Sequence, residues 1–411
     1  MSEFLDLNTP EMFWEIVNKN INIGLLPSET INFKESNGRI LAQDLFSPID
    51  LPPFSRSTVD GFAVKAEDTF GASESMPIYL NVKGEVFMGQ ETKIMVEAGE
   101  AVKIPTGGML PEGSNAVIMI EYVDYVGEKM IEINRSVGVG ENVIYKGEDI
   151  PKGKVILNKY HQIRPQDVGA LAGLGITDVE VYKKPKVSVI ATGDELVSPE
   201  NVPEVGEIRD INSYTIGTTL EEVGAEIRYV GIVPDKFDFL RESIKNNLDC
   251  DLILISGGSS VGVKDMTVEV LNSLGKPGVL SQGITIKPGK PTIFAVVEGK
   301  PILGLPGHPS SSFIITQVIV KPLVEKIMGI KEKRIKCNIK VKLSRNLDSD
   351  KGREEYVPVR LIENAEKNYI AEPLVGESAM ISTFVYADGY IKIDANKEGL
   401  NKEETVVVYL Y

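Results

Sequence analysis

The sequence predicts a multidomain α/β plus β protein built around one doubly wound α/β domain with a mostly parallel sheet. Strands and helices alternate regularly between residues 185 and 329, and near-continuous apolar strands in such an alternation are typical of parallel sheets. Short strands between Gly- and Pro-rich turns precede this region, and more strands follow it. A chain of 411 residues corresponds to two to four domains at about 150 residues per domain.

The first predicted element is an amphipathic helix over residues 10–21. Thr9 can cap it, and Pro10 suits its first position. Its apolar face is formed by Met12, Phe13, Ile16 and Val17. From about residue 40 to 182 the pattern predicts short strands, with prolines marking a boundary near 46–54. The segment 164–174 predicts a short helix with Asp167 near its start.

The central region predicts three strand–helix pairs followed by a long apolar helix. The strands are 186–192, 226–233 and 251–256, and the helices are 212–224, 236–248, 265–274 and 309–329. Pro322 should kink or break the last helix because proline cannot donate a backbone hydrogen bond. After residue 330 the pattern predicts strands again, and therefore a second, small β-domain.

Composition excludes several classes of function. The net charge of −15 does not attract nucleic acid or an anionic membrane, and no apolar stretch or N-terminal segment predicts a membrane span or a signal peptide. Cys250 and Cys337 form no metal-ligand pattern, and two histidines exclude a multi-histidine metal site. We expect a cytoplasmic protein whose metal, if it has one, is a hard cation held by carboxylates.

Two loops of the α/β region could bind anions. SGGSSVGVKD (256–265) joins a buried strand to a helix, so its amides indicate either an anion cradle or a plain tight turn. Asp265 would cap that helix or bind a divalent metal. KPGKP (287–291) places Lys287 and Lys290 on one turn, which is either a solvated loop or a site that neutralises an anion.

Acidic and hydroxyl residues recur at loop positions. Asp194 and Glu195 follow the first strand of the α/β region, where adjacent carboxylates either cap a helix or bind Mg²⁺. Asp60 precedes a glycine, and a tight turn explains this pair equally well. Thr106 and Asp149 lie in further turns. Carboxylates, a glycine loop and a lysine pair, without a nucleophile–base dyad, favour metal-assisted chemistry on a phosphorylated ligand.

Seven motifs together resemble those of the molybdopterin molybdenumtransferases, the MoeA/gephyrin family. In order along the chain they are LPPFSRSTVDGFAV, PTGGMLPEGSNAVIMIE, GEDI, ATGDEL, ISGGSSVGVKD, KPGKP and GLPGHP. The resemblance implies an elongated N-terminal domain (1–46 and 146–180), an inserted β-domain (47–145), a molybdopterin-binding α/β domain (181–329) and a C-terminal β-barrel (330–411). It also implies a homodimer whose cleft combines the inserted domain of one subunit with the α/β domain of the other.

The reaction that the resemblance implies takes molybdate and adenylylated molybdopterin with Mg²⁺ and releases AMP as the metal is inserted. The implied catalytic residues are Asp60, Thr106, Asp149, Asp194, Glu195, Asp235 and Asp265, of which Glu195, Asp235 and Asp265 would hold the metal. The implied cofactor-binding residues are Gly257, Gly258, Ser259, Ser260, Gly262, Lys287, Lys290, Pro306, His308 and Ser378. Partner proteins would be a molybdopterin adenylyltransferase and molybdoenzyme apoproteins, with no nucleic acid and no membrane.

Three positions depart from the family pattern. His308 stands where the family commonly has Asn, and Ser259 stands where it commonly has Val. The Arg that the family often has before the GED motif is absent, and Lys146 nearby is a possible substitute. His308 is either a packing or capping residue, or it changes which oxyanion the site prefers, from molybdate to tungstate. Two further readings stay open: an adenylyltransferase that makes the same intermediate, and a non-catalytic molybdopterin-binding scaffold.

Overall fold

The computed structural model describes residues 7–21, 26–257, 261–330, 338–364 and 367–411, and in 261–264 only the backbone. The chain divides into two compact units. Unit 1 comprises the described residues up to Glu29, Gly38–Ile40 and Val181–Tyr411, and unit 2 comprises Thr30–Asn37 and Leu41–Glu180. The domain boundaries implied by the family resemblance stay a prediction. No helix in the described ranges is long and apolar enough to cross a membrane.

Helix α1 (Pro10–Asn20) begins and ends close to its predicted bounds. The Thr9 hydroxyl accepts a hydrogen bond from the Met12 backbone N–H at 3.3 Å, so the predicted cap is confirmed. Phe13 and Val17 are buried. Met12, on the same predicted apolar face, is 49% exposed.

Unit 2 is built on a six-stranded sheet of order β7–β4–β6–β5–β9–β8. The strands up to Tyr182 are β1 (Ser28–Asn32), β2 (Leu45–Phe46), β3 (Arg56–Ser57), β4 (Gly61–Val64), β5 (Ile78–Glu85), β6 (Glu100–Ile104), β7 (Ala116–Met119), β8 (Val123–Val126), β9 (Met130–Ile133), β10 (Val143–Ile144), β11 (Val155–Leu157) and β12 (Asp178–Tyr182). Phe62, Ile118 and Ile131 are fully buried on the sheet. The predicted short helix is present as α2 (Pro165–Gly173).

The first part of unit 1 is the predicted α/β domain. Its strands are β13 (Lys186–Thr192), β14 (Leu196–Val197), β15 (Ile208–Arg209), β16 (Glu226–Val233), β17 (Leu252–Gly257), β18 (Gly278–Ser281), β19 (Ile286–Lys287), β20 (Ile293–Val297) and β21 (Lys300–Leu305). Its helices are α3 (Asn212–Val223), α4 (Phe237–Lys245), α5 (Val261–Leu274), α6 (Pro309–Ile315) and α7 (Lys321–Ile327). The sheet order is β16–β13–β17–β21–β20–β18, with the first four strands parallel and the last two pairings antiparallel.

Helix α5 differs from the prediction, whereas the last helix is interrupted where the sequence predicts. Helix α5 begins at Val261, four residues before the predicted start. Asp265 is therefore its fifth residue and cannot be its N-cap, so that interpretation was wrong. The long last helix is interrupted, as predicted, by a π-helical segment (Thr316–Val320) just before Pro322. Lys321 donates its backbone N–H to the Thr316 carbonyl oxygen, and this five-residue spacing lets the chain accommodate a proline that has no N–H.

The C-terminal part of unit 1 is a small closed sheet. Its elements are β22 (Asn338–Leu343), β23 (Leu347–Asp348), β24 (Glu354–Glu363), β25 (Tyr369–Pro373), α8 (Ser382–Val385), β26 (Gly389–Ile393), β27 (Gly399–Leu400) and β28 (Thr405–Leu410). The order β24–β25–β22–β28–β26 closes because β24 also pairs with β26, which confirms the predicted β-barrel. Strand β19 of the α/β domain adds to the other side of β24 in parallel.

Candidate functional site

The carboxyl ends of the parallel strands border a cavity of about 840 Å³. Thr192 ends β13, Gly257 ends β17, and Asp235 follows β16 by two residues. All three line the cavity together with Glu195 and His308. We call it the carboxylate cavity. Its place agrees with the rule that open α/β sheets bind ligands beyond the carboxyl ends of their strands.

Gly257 is required by strand packing at this end of the sheet. It pairs in parallel with Thr192 and has a φ of 126°. A Cβ atom on Gly257 would lie 1.9 Å from the Thr192 carbonyl oxygen, so no other residue fits here. The predicted cradle residues Gly258, Ser259 and Ser260 lie outside the described residues, and Gly262 belongs to α5.

Two of the three predicted metal ligands share the carboxylate cavity. The Thr192 hydroxyl donates to Asp235, and the Asp235 backbone N–H donates to Asp194 Oδ1 at 3.2 Å, so the two loops are tied together. Within the described ranges no three Asp, Glu, His or Cys side chains converge. Asp265 is exposed on α5 and is absent from the described lining of the cavity, so the predicted trio is not assembled.

The remaining pair, Glu195 and Asp235, still fits Mg²⁺. This ion is usually held by one or two carboxylates, and water and substrate phosphates complete its coordination. Both carboxylates line one open cavity, where a phosphorylated ligand could supply the remaining oxygens.

A second cavity of about 740 Å³ lies between the KPGKP turn and the C-terminal barrel. Lys287, Lys290 and Arg353 line it, and we call it the lysine cavity. Pro306 and Ser378, both predicted site residues, also line it. Three carboxylates, Asp348, Glu355 and Glu377, line it as well. An anion bound here would therefore depend on direct contact with a lysine or arginine and not on an excess of positive charge.

Lys287 is held by an ion pair across the β19–β24 pairing. Lys287 lies opposite Glu355 in the parallel register, and its Nζ atom is 3.1 Å from Glu355 Oε1. The other carboxylate oxygen of Glu355 accepts a hydrogen bond from the Ser349 hydroxyl at 2.5 Å. The lysine ammonium is thereby fixed at the wall of the cavity, with 39% of its side chain exposed.

His308 borders both cavities. It is the N-cap residue of α6, and its Nδ1 atom lies 2.7 Å from the Ser378 hydroxyl oxygen. The Ser310 backbone N–H donates to the Ser378 carbonyl oxygen at 3.1 Å, and Asn212 donates its side-chain amide to the Gly307 carbonyl oxygen at 2.8 Å. The predicted residues His308 and Ser378, separated by 70 positions, are therefore in contact.

In unit 2, Asp60 and Thr106 form a pair. Asp60 Oδ1 accepts hydrogen bonds from the Thr106 backbone N–H at 2.7 Å and from its hydroxyl at 2.9 Å. Both hydrogen bonds lower the pKa of Asp60, and the bond from the Thr106 backbone has the larger effect. Gly61 is the first residue of β4 and does not belong to a tight turn. A Cβ atom at this position would lie 1.9 Å from the Ile118 carbonyl oxygen, which explains the glycine.

Asp149, also in unit 2, is exposed in a turn. Its backbone N–H donates to the Leu51 carbonyl oxygen at 3.2 Å, so its carboxylate is not the group that fixes the turn. Lys146, considered as a substitute for an arginine, has its ammonium 3.6 Å from the Asp50 carboxylate. Asp50 lies in a distant segment of the sequence but in the same unit.

The structure thus divides the described site residues of unit 1 between two cavities. Gly257, Glu195 and Asp235 line one, the two lysines line the other, and His308 is common to both. Sequence analysis missed Arg353. The signal was a lone arginine just before a predicted strand, but its place beside Lys287 depends on the long-range β19–β24 pairing, which no local pattern reports.

Comparison with known proteins gives a consistent result over nearly the whole chain. Three family models match: the MoeA N-terminal region (domains I and II) at residues 9–175, a probable molybdopterin binding domain at 188–326, and the MoeA C-terminal region (domain IV) at 340–411. A molybdopterin molybdenumtransferase of Haemophilus influenzae is 34% identical over 384 residues, covering 93% of each chain. A protein of Methanocaldococcus jannaschii named for molybdopterin biosynthesis is 36% identical over 390 residues, covering 92% of this chain and 91% of that one. The crystal structure of a molybdopterin biosynthesis MoeA protein from Pyrococcus horikoshii matches with a TM-score of 0.83 at 37% identity, covering 98% of this chain and 99% of that one.

Proposed function

Because the chain belongs to the MoeA family, we propose that it is a molybdopterin molybdenumtransferase. In the proposed reaction it takes molybdate and adenylylated molybdopterin, releases AMP in a Mg²⁺-dependent step and forms molybdenum cofactor. The observation that carries this proposal is the lysine cavity, which brings Lys287, Lys290 and Ser378 together in a chain of net charge −15, although Asp348, Glu355 and Glu377 line it too. Bulk charge repels an oxyanion, so binding requires such a local cluster.

The two cavities suggest a division of the substrate. The lysine cavity would take the oxyanion, because its cations can neutralise it and the Ser378 hydroxyl can donate to it. The carboxylate cavity would take the phosphoanhydride, with Glu195 and Asp235 holding Mg²⁺. When bound there, Mg²⁺ supplies neutralisation and polarisation of phosphoryl oxygens. The chain's own contribution is to keep Asp235 in place through Thr192 and Asp194.

Asp60 would act as an ionised carboxylate. Its two hydrogen bonds from Thr106 lower its pKa and so favour the charged form. In the homodimer that we propose, this pair from one subunit serves the α/β domain of the other. Sedimentation tests the dimer, and a fully active monomer would contradict it. A cytoplasmic location and partner proteins that deliver the substrate and receive the cofactor belong to the same proposal.

The experiment that tests the function is AMP release from adenylylated molybdopterin with Mg²⁺, run in parallel with molybdate and with tungstate. We expect oxyanion-dependent release that Lys287→Ala weakens and that Lys245→Ala, on an exposed helix end, leaves unchanged. Faster release with tungstate would identify a tungstate-preferring insertase. Tight pterin binding without AMP release would favour the scaffold, and formation of the adenylylated intermediate from ATP would favour the adenylyltransferase.

A further inference from the structure

His308 lines both cavities and is the N-cap residue of α6. Its Nδ1 atom is 2.7 Å from the Ser378 hydroxyl oxygen, in hydrogen-bond contact. Both residues line the lysine cavity, and His308 lines the carboxylate cavity as well. The main chain around them is tied down by the Ser310–Ser378 and Asn212–Gly307 hydrogen bonds. These bonds fix the main chain beside both residues, and the 2.7 Å contact joins the two side chains.

The direction of this hydrogen bond decides what Ser378 can offer to a ligand. A serine hydroxyl has a single proton, and an imidazole nitrogen either accepts or donates according to its tautomer. When Nδ1 accepts, the hydroxyl proton is used, and the cavity meets only oxygen lone pairs. When Nδ1 carries a proton, it donates to the Ser378 oxygen, and the hydroxyl proton is free to point elsewhere.

An oxyanion such as molybdate offers only acceptor oxygens. It can therefore take a hydrogen bond from Ser378 in one of the two arrangements and not in the other. Lys287, Lys290 and Arg353 line the same cavity, as do the carboxylates of Asp348, Glu355 and Glu377. None of these charges depends on the direction of the His308–Ser378 hydrogen bond. The imidazole thus sets whether the cavity has a fourth donor for the anion.

We infer that His308 is a positioning residue that turns Ser378 into an anion donor: when an oxyanion fills the lysine cavity, His308 Nδ1 changes from hydrogen-bond acceptor to donor. The proton on Nδ1 comes from solvent, or from Nε2 by tautomer exchange through solvent. The Ser378 hydroxyl keeps its own proton and donates it in a hydrogen bond to an anion oxygen in place of Nδ1. No bond other than these hydrogen bonds changes. The inference rests on the proposed use of the lysine cavity by an oxyanion.

The test follows the ring nitrogens of the full-length protein directly. The chain has two histidines, so ¹⁵N-histidine labelling gives two sets of imidazole signals, and the set missing from His308→Asn identifies His308. Molybdate is titrated at pH 7.5 while calorimetry measures its affinity. His161 is an internal control, because its Nε2 atom bonds to Asp167 at 2.7 Å in unit 2.

We expect the His308 Nδ1 shift to move from the unprotonated to the protonated range at saturation, while the His161 signals stay in place. Ser378→Ala should weaken molybdate binding about tenfold or more, the scale of a lost hydrogen bond to a charged group. His308→Asn should bind within about threefold of the wild type, because the amide group can donate to Ser378 as the protonated Nδ1 does.

Two NMR results would overturn the inference without contradicting the proposed function: molybdate bound with Nδ1 still unprotonated, or Nδ1 protonated to the same extent without molybdate. Failure of the wild-type protein to bind molybdate would instead contradict the use of the lysine cavity, and with it both the proposed function and the inference. Unchanged affinity in Ser378→Ala would show that the hydroxyl does not donate to the anion, and would also reject the inference.

Discussion

Asp167 caps helix α2 with a carboxylate that is only 5% exposed. Its oxygens accept hydrogen bonds from the Arg164 backbone N–H at 2.8 Å, from two guanidinium nitrogens of Arg164 at 2.9 Å each, and from His161 Nε2 at 2.7 Å. Burial by itself disfavours the charge, but these donors outweigh it and lower the pKa of Asp167 from 3.8 to about 2. The network therefore favours the charged form and, through it, the folded helix end.

The size of the effect follows from the pKa difference. Each pKa unit corresponds to about 1.36 kcal/mol, so the network stabilises the helix end by roughly 2 kcal/mol at neutral pH. Because the folded-state pKa is the lower one, this stabilisation is present above the ordinary aspartate pKa. It is lost as the pH falls from about 4 towards about 2. Asp167→Asn should remove it at every pH.

The assay is amide hydrogen exchange in α2 (Pro165–Gly173). At neutral pH we expect Asp167→Asn to lower the opening free energy of its protected amides by about 2 kcal/mol. Glu128→Gln, an exposed turn position, serves as the control and should change nothing. If α2 in Asp167→Asn keeps wild-type protection at neutral pH, the charge network does not stabilise the helix end and the reasoning fails.

Three further predictions concern the site and its supports. Gly61→Ala should destabilise unit 2 by several kcal/mol in chemical denaturation because of the 1.9 Å approach to Ile118, whereas Gly169→Ala, in open space on α2, should stabilise by about 0.5–1 kcal/mol; equal effects would contradict this account. Thr106→Ala should raise the pKa of Asp60, since one of the two bonds that lower that pKa is lost. The acid limb of the pH–rate profile of AMP release should then move to higher pH; a limb that stays in place would show that the ionisation of Asp60 does not control the rate. Asn212→Ala should cost about 1 kcal/mol in stability and weaken molybdate binding in calorimetry, because its 2.8 Å bond holds Gly307 next to His308; unchanged affinity would show that the loop keeps its place without it.

The α/β domain was predictable because its central strands are almost wholly apolar. Strand β13 is buried along nearly its whole length and begins and ends at the predicted residues, since a buried parallel strand has a sharp change of composition at each end. The edge strand β16 also has the predicted bounds, although most of its residues are only partly buried or exposed. The start of α5 was missed because Val261 to Lys264 contains a glycine and follows SGGSS directly, so it reads as part of the glycine loop. The serines before Val261 are a possible capping signal that was passed over in favour of Asp265.

The composition of the candidate site was predictable, but its division into two cavities was not. The motifs identify Lys287 and His308, and the family resemblance implies Ser378, but nothing local indicates that the serine contacts the histidine. That contact arises from the packing of the 374–378 segment against α6, and the presence of Arg353 beside Lys287 arises from register in a parallel pairing. Both are consequences of tertiary structure, which periodicity does not report.

The addition of β19 to the C-terminal barrel limits how this chain can be divided. The turn that carries Lys287 takes its backbone partner and its side-chain partner, Glu355, from a strand that comes more than sixty positions later. A truncated protein ending near residue 330 would keep every lysine of KPGKP and lose the strand that orders them. The α/β domain should therefore be expressed together with the barrel, although the sequence between them reads as an ordinary domain boundary.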